Sequence, residues 1–147
     1  MSHLIQNTEL NYQAAMILAA QVIEHANTKN LNICISILCP KGLAILSLNM
    51  NQAPLHSAKI AFDKAYTSAS FGLASHHWKE KLANKPSTLQ ALSLQENFTA
   101  LGGGFPLLHQ NQVIGAIGIS GATEEEDRQC AQVAISALHS LLSPSSS

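Results

Sequence analysis

Residues 8–29 carry apolar side chains at three- and four-residue steps. Tyr12, Met16, Ala19, Ile23 and Ala26 form one stripe, and Ala15, Leu18, Val22 and His25 form a second row beside it. That spacing predicts a helix, capped by Thr8 and stopped at residues 27–30. Residues 31–39 alternate instead, with Ile33, Ile35 and Ile37 on one face, and residues 43–50 make a second β run after the turn Pro40-Lys41-Gly42. The short connection predicts an antiparallel hairpin.

Residues 55–73 return to helical spacing, with Ile60, Ala61, Lys64, Ala65, Ser68 and Ala69 clustered. Small side chains dominate this helix, which lets another backbone come close, and Gly72 is placed to end it. A short helix over 75–82 carries His76, His77 and Trp78. Pro86, Ser87 and Thr88 suggest a loop, followed by a weak helical turn over 89–94. Residues 98–101 suit a short strand, and 107–109 with 113–119 a second hairpin. A strong helix spans 123–142, ahead of a frayed tail at 143–147. Two hairpins imply an antiparallel sheet with helices on its faces, and no βαβ dinucleotide unit is required.

With 147 residues the chain fits one domain able to bury its own core. Charged residues are only 12% of the chain, about half of the roughly 25% usual for soluble proteins. So little charge leaves apolar or small side chains at the surface, which points to self-association. Lys and Arg total eight and the formal charge is −1. No basic cluster is present to neutralise phosphates, so nucleic acid is not an expected partner. Cys34, Cys39 and Cys130 lack CxxC spacing, and free thiols in a reducing, cytoplasmic compartment are the expectation. The opening residues contain neither a basic nor an apolar segment of the kind a signal peptide needs. No apolar run approaches the roughly 18 residues of a membrane span.

The run from 102 to 123 is the most informative stretch. Gly102, Gly103 and Gly104, followed by Phe105 and Pro106, can shape a tight turn or line a ligand with backbone N–H groups. No Lys-Ser/Thr pair follows, so this is not a phosphate loop of the P-loop kind. Gly115 and Gly118 face opposite sides of a strand, each permitting close packing. Ser120 and Gly121 lead into Thr123-Glu-Glu-Glu126, a capping box that starts a helix. Three or four carboxylates there already oppose the helix dipole, and Asp127 is the one with a candidate functional role. Lys64 reads either as a snorkelling surface lysine or as a cation aimed at a ligand carboxylate or at the glycine loop. Thr67, on the same side of the helix, could add a hydroxyl. Among seven histidines, His76 and His77 diverge on a helix and cannot share one ion. His25 extends an apolar face, where a neutral imidazole could ligate haem iron. No Ser-His-Asp elbow, paired carboxylates or redox CxxC appears.

Three segments, NMNQAPLHSAKIAFDKAYTSA (49–69), GGGFP (102–106) and IGAIGISGATEEED (114–127), resemble the GlcG/HbpS family, also called the haem-degrading domain family. The likeness runs in order over nearly the whole chain. It implies an α+β, profilin-like three-layer α/β/α domain with a five-stranded antiparallel sheet, assembled as a homo-oligomer of tetramer to octamer size. Haem binding, haem breakdown and redox sensing are associated with parts of the family, and a related domain is fused to a cobalamin adenosyltransferase. The K-A-x-T element stands here as Lys64, Ala65 and Thr67, and Ser120, Gly121 and Asp127 also match. Pro40 replaces an aspartate, and Asn49, Asn51 and Gln52 stand where the family carries R-M-D-G, removing charged groups that could hold a polar ligand or another subunit.

Three functions follow as expectations. The first is haem or tetrapyrrole binding, with a flat ligand between the first helix and the glycine loop and His25 on the iron. The second is an accessory enzyme acting on a small carboxylate or carbonyl metabolite, held by Lys64 with Thr67, Ser120 and the loop amides. The third is a structural oligomer subunit without catalysis. The candidate ligand-binding set is Lys64, Thr67, Gly102, Gly103, Gly104, Phe105, Pro106, Ser120, Gly121 and Asp127.

Overall fold

A computed structural model of the chain describes residues 2–144. Its elements are α1 (Tyr12–Thr28), β1 (Cys34–Leu38), β2 (Ala44–Asn49), α2 (Ser57–Phe71), α3 (His77–Lys81), α4 (Pro86–Ser93), β3 (Gly104–His109), β4 (Gln112–Ser120) and α5 (Glu124–Leu142). The strands form one antiparallel sheet in the order β2-β1-β4-β3. Helices α1 and α5 pack together on one face, and α2 lies on the other. The α+β class and the three-layer arrangement agree with the sequence reading.

Both faces of the central strands are covered, so β1 is buried at every position rather than alternately. On the α1/α5 face, Ile35 pairs with Ile119 and Ile37 with Ile117, an apolar ladder at the centre of the core. The α2 face is built from small residues, with Ser36 opposite Gly118 and Leu38 opposite Ala116. There the fully buried Ala61 and Ala65 bring the helix backbone down onto the sheet. A methyl group at Gly118 would sit 2.7 Å from the Ala65 nitrogen, so only glycine permits this approach. The β3–β4 turn puts Gln110 and Asn111 at φ 51° and 62°, the two left-handed residues of a type I′ hairpin.

Several expectations are corrected. The sheet has four strands among the described residues, not five. Residues 98–101 join no strand because side chains take up their backbone groups. Thr67 Oγ1 accepts from Thr99 N (3.0 Å) and donates to Asn97 O (3.3 Å), and Ser75 Oγ donates to Leu101 O at 2.6 Å. Asn11, not Thr8, caps α1 by accepting from Ala14 N at 2.9 Å. The buried face of α1 is Ala15, Leu18, Ala19, Val22 and Ala26, whereas Tyr12 and Met16 are 61% and 57% exposed. Pro86 starts α4 instead of a loop, since the first turn of a helix needs no N–H from it. Ser143 N–H closes the end of α5 on His139 O at 3.1 Å, and the rest of the expected tail, 145–147, lies outside the described residues. Among those described, no helix is long and apolar enough to cross a membrane.

Candidate functional site

The glycine loop, α2 and the start of α5 meet at one buried point. Lys64 is not a surface residue: its side chain is 2% exposed, and its Nζ lies 3.0 Å from Asp127 Oδ2. The same Nζ donates to Ile119 O at 2.8 Å. The other oxygen of Asp127, Oδ1, accepts from Ala122 N at 3.1 Å. Burial pushes the Lys64 pKa below the ordinary lysine range and that of Asp127 above the carboxylate range, and each partner's charge opposes the other's shift. The Thr123–Glu126 capping box, present in both directions, fixes the helix start that carries Asp127.

The glycines permit this convergence. Gly103 has φ 126°, and a methyl group on it would meet Ile119 O at 2.6 Å and Lys64 Nζ at 3.0 Å. A methyl group on Gly104 would run into the Lys64 backbone, and one on Gly121 (φ 127°) would sit 2.6 Å from Asn32 O. Gly102, Gly103 and Gly104 are therefore packed against protein. Ser120 is buried at the end of β4, paired with Cys34, and Thr67 holds residues 97 and 99. So the structure brings together Lys64, Asp127 and Gly103, while Thr67 holds neighbouring backbone and Ser120 is a buried strand residue.

Phe105 and Pro106 have a different position. They line a mostly apolar cleft of about 590 Å³ between β3 and the C-terminal half of α5. Its walls include Leu107, Leu108, Ile135, Leu138 and Leu142, with Leu73 and Ala74 closing one side. Three imidazoles from three separate elements, those of His77, His109 and His139, also line it. Neither His109 nor His139 was singled out from the sequence, because nothing local links them. A usable signal was present on α5: residues 128, 135 and 139 fall on one face at seven- and four-residue steps.

At the N-terminal end of α5, Gly102 lies against both Arg128 and His76: a methyl group there would be 2.9 Å from Arg128 Cδ and 3.3 Å from His76 Cβ. Gly102 N donates to Glu124 Oε1 at 2.6 Å, which holds Glu124 below its usual pKa, and Lys79 Nζ stands 3.5 Å from the same oxygen. The Arg128 Nε and His76 Nδ1 atoms are buried with no hydrogen-bond partner.

His25 sits elsewhere. It projects from α1, which packs on α5 and β2, whereas the glycine loop opens β3 at the opposite edge of the sheet. Its Nε2 is buried without a partner, but the residue does not line the cleft. Among the described residues, no group of three or more His, Cys, Asp or Glu is arranged to hold a metal ion.

Comparison with known proteins agrees with this architecture. An uncharacterised 15.0 kDa protein of Citrobacter freundii is 30% identical over 132 residues, 88% of this chain and 92% of the relative. The crystal structure of Klebsiella pneumoniae ORFY, at 30% identity, superposes with a TM-score of 0.89 over 97% of this chain and 99% of that one. The crystal structure of a PduOC:heme complex is 28% identical, with a TM-score of 0.80 over 88% of this chain and 95% of that one. The family model for HbpS-like proteins, described as haem degrading protein HbpS-like, matches residues 10–136. The chain therefore belongs to the HbpS-like family.

Proposed function

We propose that this chain binds haem or a related tetrapyrrole in the cleft between β3 and α5. The observation that carries the reading is the cleft itself, apolar along most of its wall and lined by His77, His109 and His139. A volume of about 590 Å³ falls within the roughly 300–1,000 Å³ of small-molecule and cofactor sites. A neutral imidazole is a common axial ligand of haem iron, and the donor set here fits that group. The family description and the haem complex of PduOC support the same ligand class. A bound haem would supply redox-active iron; Phe105, Pro106, Leu138 and Leu142 would bury its ring, and a histidine of the cleft would orient it.

His25 is a second candidate for the iron, favoured by its unpartnered Nε2. Binding there would use a different surface from the cleft. The accessory-enzyme reading ranks below haem binding, because a substrate carboxylate could reach Lys64 only by displacing Asp127. Self-association is also proposed. The outer side of α1 and α5 carries a groove lined by Ile17, Gln21, Gln132, Val133 and Leu141 with no charged residue, and Tyr12 and Met16 are exposed on α1. A cytoplasmic location suits three unpaired cysteines.

Titrating the protein with haemin while following the Soret band tests the reading. A saturable shift is expected, and its position should change in one of His77→Ala, His109→Ala or His139→Ala. A shift altered only by His25→Ala would move the site to α1, and no shift at all would reject haem binding.

A further inference from the structure

Beside the cleft, toward the N-terminal end of α5, the chemistry changes. The ring of His76 lies 4.3 Å from that of His77 and 5.6 Å from that of Phe105, and both of those residues line the cleft. Arg128 shares a helix face with Ile135 and His139, eleven residues from the latter, or about 16 Å along the axis at 1.5 Å per residue. A pair of unused polar groups, Arg128 Nε and His76 Nδ1, thus lies beyond the Ile135 end of the cleft.

A buried donor left unpaired is costly, and the nearby carboxylates do not relieve these two. Glu124 is engaged by Gly102 N–H and Lys79. Glu125 reaches Arg128 only through Nη1, at 3.8 Å, across a mostly exposed i,i+3 pair. Glu80 forms no ion pair with either group. What fits an unpaired guanidinium N–H, with an imidazole also packed against Gly102, is a carboxylate.

We propose that Arg128 and His76 form a carboxylate subsite that anchors an acidic side group of the tetrapyrrole whose apolar ring fills the cleft. This rests on the haem reading above and adds the ligand's orientation: acidic groups toward the start of α5, ring toward His139 and Leu142. Gly102 has a part in it, because a side chain there would push Arg128 and His76 apart.

The test compares haemin with haemin dimethyl ester, which has the same ring and iron but no free carboxylate. Wild-type protein should bind the ester at least about tenfold more weakly, the loss expected for a charge-assisted hydrogen bond. Arg128→Gln should weaken haemin by a similar factor and leave the ester unchanged, and Arg128→Lys should restore only part of the difference. Equal affinity of wild-type protein for both compounds would overturn the subsite while leaving haem binding intact. So would an Arg128→Gln loss that is the same for both. Failure of both compounds to bind would overturn the haem reading and the subsite together. The wild-type comparison needs no variant to fold.

Discussion

Lys64 and Asp127, 63 residues apart in sequence, form an ion pair of 3.0 Å in which neither side chain is more than 3% exposed. The pair ties α2 to α5 beneath the glycine loop, and Lys64 also holds the end of β4 through Ile119 O. Removing one partner strands a charge in a dry site. Lys64→Met or Asp127→Asn should each lower stability by about 3–5 kcal/mol, read from urea unfolding. The double variant Lys64→Met with Asp127→Leu should recover much of that loss, because no unpaired charge remains. Single variants within about 0.5 kcal/mol of wild type would show that the pair is not buried as described.

Gly118 makes a second, independent prediction. Its hydrogen faces the backbone of α2 at Ala61 and Ala65, and the packing leaves no room for a methyl group. Gly118→Ala should therefore force α2 off the sheet, at about 1–3 kcal/mol. Thermal melting would detect this, and an unchanged midpoint would contradict the close approach.

These two sites show what was legible in the sequence. The alanine-rich face of α2 and the strand glycines announce a close helix–sheet contact, and the Thr123–Glu126 box announces the start of α5, because each signal is local. Lys64 was ambiguous because its partner is distant in sequence and reaches it only when α5 folds over the sheet. Residues 98–101 read as a strand because their composition suits one; the side chains of Thr67 and Ser75, which replace the ladder, lie in other segments. The stripe led by Tyr12 and Met16 divides, its first two residues exposed while Ala19 and Ala26 join the second row in the core, and spacing alone does not say where the covered face is centred. The cleft was invisible for a related reason, since its three histidines come from three elements.

The cysteines should differ sharply in reactivity. Burial, with Asp127 and Glu126 nearby, pushes the Cys130 thiol up to about 11. Burial also raises Cys34, whereas Cys39 is partly exposed. Only the thiolate is nucleophilic. A thiol reagent at pH 8 should thus modify one cysteine, Cys39, in the folded protein and all three after unfolding. Rapid modification of Cys130 in the native state would contradict its placement.

His76 gives the protein a pH dependence of predictable sign. Burial lowers its pKa below 6.5, Arg128 and His77 add repulsion, and Glu80 and Glu124 pull the other way. Between the lowered value and 6.5 the unfolded chain binds more protons than the folded one, so stability should fall as pH drops through that window. His76→Gln should flatten this part of the profile in denaturation measured from pH 7.5 to 5.

The central claim is that the cleft between β3 and α5 holds the ligand. Leu108 lines it and is half exposed on an edge strand, so Leu108→Trp adds bulk to the cleft without entering the core. Leu55, almost fully exposed before α2, provides the control Leu55→Trp. The decisive measurement is haemin affinity by Soret titration of wild type and these two variants. Affinity should fall at least about tenfold in Leu108→Trp and stay at the wild-type value in Leu55→Trp. Equal binding by all three proteins would mean that haem, if bound, lies elsewhere, and would contradict the claim.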